Sequence, residues 1–337
     1  MLKKFIKNTI VILLIIILIA VTFSGCSGGT RNQDGRISII STIFPHYDWV
    51  RQIIGEENIN NFDLTLLLDN QIDLHNYNPS AADIAKIANC DVFIYVGGHS
   101  DDWVDSILKQ AVNADMLVIN LIDLLGDMII YDDEHDDHDD DHDDDDDDHD
   151  DDDDDDHDDE IDEHIWLSLS RAKLICEAIA EMLSETDPDN AAAYKANADA
   201  YIAKLSALHA EYQAAVDASN VRMLVFADRF PFRYLVDDYG LDYHAAFSGC
   251  SSETEASIAT IVSMAESVDR FNLSTVIVTE SSDQSIARTV IDSTAAKNQN
   301  ILVLNALQSV TADDVRNGAA YLDLMQNNLD VLKEALK

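Results

Sequence analysis

Between Asp132 and Glu160 every residue is Asp, Glu or His, with 24 carboxylates and five histidines in 29 positions. No core can include this segment, because it offers no apolar side chain to bury and its charges repel one another. Any fold must close around the run and leave it in solvent. The run carries −24 of the formal −44, so −20 remains for the rest of the chain. Carboxylate oxygen and imidazole nitrogen are also the donors that divalent cations select, and imidazoles at short intervals suit zinc. His135, His138, His142, His149 and His157 are therefore candidate metal ligands of a disordered loop. A purely solubilising spacer is the alternative.

The amino-terminal residues bear on where the protein works. Lys3, Lys4 and Lys7 precede an apolar stretch over 9–23, and Ser24 and Gly25 then lead to Cys26. A stretch this short falls below the ~20 residues of a spanning helix, so 1–25 reads as a secretory signal. Cys26 is then the lipidated first residue of a mature chain, and 26–35 is a polar tether. The chain that remains is long enough for two lobes with their own cores. Cys90, Cys176 and Cys250 are odd in number and cannot all pair; Cys90 and Cys176, set among apolar residues, read as buried thiols. The 21 Lys and Arg against 65 Asp and Glu leave no basic face for a phosphate backbone, which excludes nucleic acid as a partner.

Short β-rich runs alternate with helical patterns through the rest of the chain. Strands are expected at 36–43, 62–68, 92–96 and 116–121, with helices at 47–54, 80–88 and 103–111. After the acidic run come a helix over 168–183 and a long Ala-rich pattern that starts near Pro188. The alternation then repeats, with strands at 221–226, 241–247, 275–279 and 301–304, and helices at 232–239, 257–268, 285–294 and 312–336. This predicts an α/β protein of two lobes, 36–187 and 220–337, each a parallel sheet covered by helices. The 188–219 segment, roughly 45 Å long as a helix, is too long for one lobe and is best used as a rigid spine joining two. Open parallel sheets bind ligands at their carboxyl edges, so the cleft between the lobes is the expected site.

Two histidines are placed by their local sequence. Asp73-Leu74-His75-Asn76-Tyr77-Asn78-Pro79-Ser80 follows a strand and leads into a helix that Ser80 caps, which sets His75 at the strand's carboxyl end. Glu163-His164-Ile165-Trp166-Leu167-Ser168 is built alike, with Ser168 as the cap. Asp162 and Glu163 are candidates to orient the His164 imidazole.

DLHNYNPSAADIAKIANCDVFIYVGG, EHIWLSLSRA and FRYLVDDYGL resemble the metal-binding lipoproteins that serve ABC importers of zinc and manganese. The similarity covers nearly the whole mature chain, and a metal-attracting loop just before the second His motif resembles the zinc-type members. The resemblance implies His75 and His164 as direct ligands and Zn²⁺ as cargo, with Mn²⁺ the alternative. It also implies delivery to an ABC permease, a lipid anchor on the outer face of a bacterial membrane, a monomer and no enzymatic role.

The second lobe departs from the family pattern. Zinc-type relatives carry a third His a few residues before an aromatic–x–Tyr and a YGL motif, and manganese-type relatives a Glu. Here Phe226-Ala227-Asp228-Arg229-Phe230-Pro231-Phe232-Arg233-Tyr234 offers no histidine. Aligned without a gap, Arg229 takes the ligand position, and a guanidinium cannot coordinate a cation. A one-residue bulge at Pro231 brings Asp228 there instead; the alternative is that Asp228 and Arg229 form a structural pair. Glu280, at the end of the 275–279 strand, is a further candidate carboxylate. His46, His244, Cys250 and Asn305 are candidates for an additional ligand or for the cleft wall. Asn305 stands where manganese-type relatives use an Asp, which favours zinc.

Two other function classes fit parts of this pattern. Two His, a carboxylate and an open position also describe a zinc hydrolase with Glu280 as base, but no HExxH accompanies them. A surface adhesin or metal buffer would work through the acidic loop and bind several ions weakly.

Overall fold

The computed structural model describes residues 35–70, 73–132, 160–247, 249 and 256–337. The signal segment, Cys26, the tether before residue 35, the five loop histidines and Cys250 lie outside the described residues.

The first lobe holds β1 (Ile37–Ser41), β2 (Phe62–Leu66), β3 (Val92–Tyr95) and β4 (Leu117–Asn120) in the order β2-β1-β3-β4. All neighbours are parallel. The second holds β7 (Met223–Phe226), β8 (Asp242–Ala245), β9 (Thr275–Thr279) and β10 (Asn300–Leu304) in the order β10-β9-β7-β8, again parallel. Numbered within each lobe, both sheets run second-first-third-fourth, so the halves share one topology. Helices cover the sheets, and the central strands β3 and β9 are buried at every position. That is why Val-Phe-Ile-Tyr and Thr-Val-Ile-Val-Thr read as continuous runs without polar alternation. Between β4 and the second His motif, the short antiparallel pair β5 (Tyr131–Asp132) and β6 (Glu160–Ile161) closes the base of the acidic run.

The first-lobe helices are α1 (Phe44–Ile54), α2 (Ala81–Ile87), α3 (Trp103–Leu108), α4 (Leu121–Leu125) and α5 (Leu169–Thr186). A reciprocal capping box between Ser80 and Asp83 starts α2, and the Ser168 hydroxyl accepts from Arg171 N to start α5. The spine is α6 (Ala191–Ala218), followed by α7 (Arg233–Tyr239), α8 (Ile258–Arg270), α9 (Ser285–Ser293), α10 (Ala312–Arg316) and α11 (Tyr321–Ala335).

Two departures from the sequence-based expectation have an evident local cause. α1 begins at Phe44 rather than at residue 47, with Pro45 in its first turn. His46 Nε2 accepts the Ile43 N–H at 2.9 Å, doing the work that Glu or Gln does in a capping box. The expected helix over 312–336 is two helices, because Gly318 turns the chain at φ +95° between them.

The spine meets both lobes. Its buried residues Tyr194, Ala198, Tyr201, Leu205, Leu208, Tyr212 and Val216 recur at four- and three-residue steps. This puts a continuous apolar stripe along 28 residues, roughly 42 Å at 1.5 Å per residue. α1 and α5 pack on it from one lobe, α7 and α11 from the other. Three buried aromatics complete the junction. Trp166 Nε1 donates to Ala306 O at 2.8 Å, Tyr321 Oη to Trp166 O at 2.6 Å, and Tyr234 Oη to Asp162 O at 2.8 Å. One hydrophobic core therefore runs through both lobes along the spine.

Candidate metal centre

His75 and His164, 89 residues apart in the chain, meet with their Nε2 atoms 3.3 Å apart. Each imidazole is set by an Asp-x-His turn. Asp73 Oδ1 accepts the His75 N–H at 3.1 Å, and Asp162 Oδ1 accepts the His164 N–H at 2.8 Å. Asp162 Oδ1 also lies 2.8 Å from His164 Nδ1. A carboxylate only accepts, which assigns the proton to Nδ1 and a lone pair to Nε2. His75 Nδ1 lies 2.7 Å from Ser100 Oγ, which accepts when the proton sits on Nδ1, and 3.4 Å from Glu163 Oε2, whose charge favours that same tautomer.

Glu163 therefore supports His75 rather than the adjacent His164. Its other oxygen accepts from Ser100 N at 2.8 Å, tying the turn after β3 to the second His motif. The close approach depends on Gly98, at φ +78°, where an added Cβ would collide with the Glu163 carboxylate. Behind Glu163 lies Asp101, buried, with Oδ1 lacking a hydrogen bond and Oδ2 taking the Gly97 N–H. Burial first, and then the Glu163 charge, push the Asp101 carboxyl up to about 7.

Two imidazole lone pairs facing each other repel unless an electron-poor centre lies between them. Two nitrogens each bound at about 2.0–2.1 Å to one tetrahedral zinc lie about 3.3–3.4 Å apart, the separation found here. A carboxylate on the far nitrogen of His164 and a hydroxyl on that of His75 fix the ring directions, as around metal-bound histidines.

The second-lobe candidates are arranged differently. Asp228 and Glu280 follow β7 and β9, the adjacent strands at which the sheet order reverses, where such sheets bind ligands. Asp228, however, is engaged at both oxygens. Oδ2 accepts from Thr279 N at 3.0 Å and Thr279 Oγ1 at 2.7 Å, and Oδ1 from Arg229 N at 2.9 Å. It braces the two strand ends, and no side-chain pair forms between Asp228 and Arg229. Arg229 Nη1 instead reaches across to Asp73 Oδ2 at 2.9 Å. Glu280 lines a cleft of about 550 Å³ with Asp73, Asn76, Arg229 and Thr279, and its Oε2 accepts from Ala306 N at 2.8 Å. Among the described residues, no group of three or more His, Cys, Asp and Glu is arranged to hold a metal ion.

Three further candidates are engaged elsewhere. His46 is fully buried in the first turn of α1, and burial lowers its pKa to about 3, so it is a cap and not part of the cleft wall. His244 shares a hydrogen bond with Ser267 of α8 at 2.9 Å, which turns its ring toward that covering helix. Asn305 Oδ1 accepts from Leu307 N at 2.7 Å and holds the turn after β10. Ser100 and the contact between Arg229 and Asp73 were not foreseen. The Gly97-Gly98 pair after β3 was the available signal for a tight approach at Ser100; nothing local signals the Arg229 contact.

The family described as "ZnuA: Zinc-uptake complex component A periplasmic" matches residues 39–335. The chain belongs to this family. Zinc-binding lipoprotein AdcA of Streptococcus pneumoniae is 31% identical over 96% of this chain and 60% of its own length. The chain thus spans about 60% of the AdcA relatives it matches. The high-affinity zinc uptake system protein ZnuA of Bacillus subtilis is 28% identical, over 93% of this chain and 92% of that protein. The Zn(II)-bound ZnuA-like domain of pneumococcal AdcA superposes with a TM-score of 0.68 at 28% identity, over 90% of this chain and 99% of that one. This ZnuA-family chain shares their two-lobe α/β fold.

Proposed function

We propose that this ZnuA-family protein captures Zn²⁺ outside the cytoplasm and delivers it to the permease of an ABC importer. The observation that carries the reading is the opposed pair of Nε2 atoms at 3.3 Å, each with its far nitrogen held by a hydrogen-bond partner. Zinc is favoured over manganese because the fixed donors are nitrogens and Asn305 contributes no carboxylate. Glu280, which faces the cleft and uses one oxygen on Ala306 N, is the second-lobe donor we assign. Asp228 acts through the strand ends it braces. The relatives' names support the zinc reading, since AdcA is a zinc-binding lipoprotein and ZnuA a zinc uptake protein. Lipidation at Cys26 would keep the protein at the outer face of the membrane as a tethered monomer.

The test is calorimetric titration with Zn²⁺ and Mn²⁺, comparing the protein with a His75→Ala/His164→Ala variant. One tight, zinc-preferring site lost in the variant is expected. Several weak sites indifferent to the two histidines would overturn the reading and favour a metal buffer acting through the acidic run.

A further inference from the structure

Asp73 uses its two oxygens on different lobes. Oδ1 accepts the backbone N–H of His75 at 3.1 Å, and Oδ2 takes Arg229 Nη1 at 2.9 Å from the loop after β7. The second metal-facing histidine is held in a parallel way. Asp162 Oδ1 accepts the His164 N–H, while its carbonyl takes the hydroxyl of Tyr234, on α7. In each Asp-x-His turn a second-lobe side chain grips the Asp that orients the imidazole. The two grips differ in exposure. Tyr234 is fully buried, whereas the side chains of Arg229 and Asp73 are 34% and 21% exposed at the cleft. A buried pair, Arg171 to Asp238 at 2.9 Å with side chains 9% and 6% exposed, also ties the lobes. Of these three ties, the Arg229 contact is the one placed to break and re-form without disturbing the core.

We propose that Arg229 is a positioning residue. From the second lobe it holds the loop bearing His75 in its metal-binding direction, and it thereby couples approach of the lobes at the cleft to zinc affinity. The inference rests on His75 and His164 being the zinc donors. It makes sense of a cation beside a cation site: the guanidinium charge is spent on Asp73, and its geometry is what the site uses.

The sign of one substitution separates this role from simple electrostatics. Arg229→Gln removes a positive charge and leaves Asp73 unbalanced in the cleft, which by Coulomb attraction alone makes the protein bind Zn²⁺ more tightly. Loss of positioning makes it bind more weakly, by roughly 10-fold, as for other partners that orient a metal ligand. Zn²⁺ affinity is measured by competition with a chromophoric chelator, and Co²⁺ visible absorption reports the geometry of the bound ion. Weaker zinc binding and an altered Co²⁺ spectrum are expected for Arg229→Gln, with recovery in Arg229→Lys. The gap between wild type and Arg229→Gln should narrow in about 1 M salt, where partly exposed pairs are screened. Equal or tighter zinc binding by Arg229→Gln overturns the proposal. Arg229→Met gives the same reading should the glutamine variant fail to fold. Zinc binding lost in His75→Ala/His164→Ala but untouched by Arg229→Gln overturns this inference alone and leaves the capture function standing. No tight site in the wild-type protein removes both.

Discussion

An imidazole serves as a metal donor when its other nitrogen is told where to keep the proton. For His164 that instruction comes from Asp162, 2.8 Å from Nδ1 and buried with it. Asp162→Asn keeps an acceptor for the His164 N–H but can turn an amide donor toward Nδ1, which moves the proton to Nε2 and removes the lone pair. Zinc affinity should fall about 10- to 100-fold in chelator competition, with thermal stability little changed. His46 shows the opposite use of the same side chain. The folded protein keeps it neutral down to about pH 3, whereas the unfolded chain takes up a proton below its ordinary 6.5. Its contribution to stability is therefore complete above pH 6.5 and is lost as pH falls from there toward 3. His46→Gln accepts the same Ile43 N–H without titrating. Acid unfolding monitored by circular dichroism should show a shallower loss in the variant, with wild type losing up to about 1.4 kcal/mol more per pH unit. The Asp-x-His turns were legible because each reads locally, as an aspartate, a histidine and then a helix cap. Arg229 and Ser100 were not, because their partners lie 156 and 25 residues away in sequence.

The elements explain how those residues reach one place. β2, β3 and the β5–β6 pair deliver His75, Ser100 and His164 from separate stretches of chain, and Gly97 and Gly98 let the turn after β3 come within hydrogen-bond reach of Glu163. The β5–β6 pair has a further consequence for the acidic run. Asp132 and Glu160 are direct partners in an antiparallel register, so the ends of the run are already as close as in a hairpin. Replacing 133–159 by Asn-Gly should leave β6, Asp162 and His164 in place. Equilibrium Zn²⁺ affinity is expected to match wild type, while stopped-flow loading at low metal slows if the run gathers cations. An unchanged loading rate would show that it only solvates. Most strands and helices were legible from their patterns. The early start of α1 was hidden because Pro45 and His46 look like the end of a strand, and the break before α11 because a single Gly318 interrupts an otherwise continuous helical pattern.

At the scale of the whole molecule, the two lobes are alike in strand order but are not free of each other. α6 packs on helices of both, and Trp166, Tyr234 and Tyr321 place hydrogen bonds across the junction inside one shared core. Wide hinge closure would expose that core, so metal binding should move the lobes little. The radius of gyration from X-ray scattering is expected to stay unchanged within error when Zn²⁺ is added or stripped with a chelator. A clear contraction on loading would instead mark hinge closure of the kind seen in many binding proteins. The sequence by itself determined the α/β class, the two lobes, the spine and the two histidine turns. All of these follow from local hydrophobic period, charge and capping chemistry. Tertiary structure decided that Glu163 serves His75, that Asp228 is a brace, that His46 is a cap and that Arg229 grips Asp73. Those outcomes depend on distances between residues far apart in the chain, and such distances exist only once the core has packed.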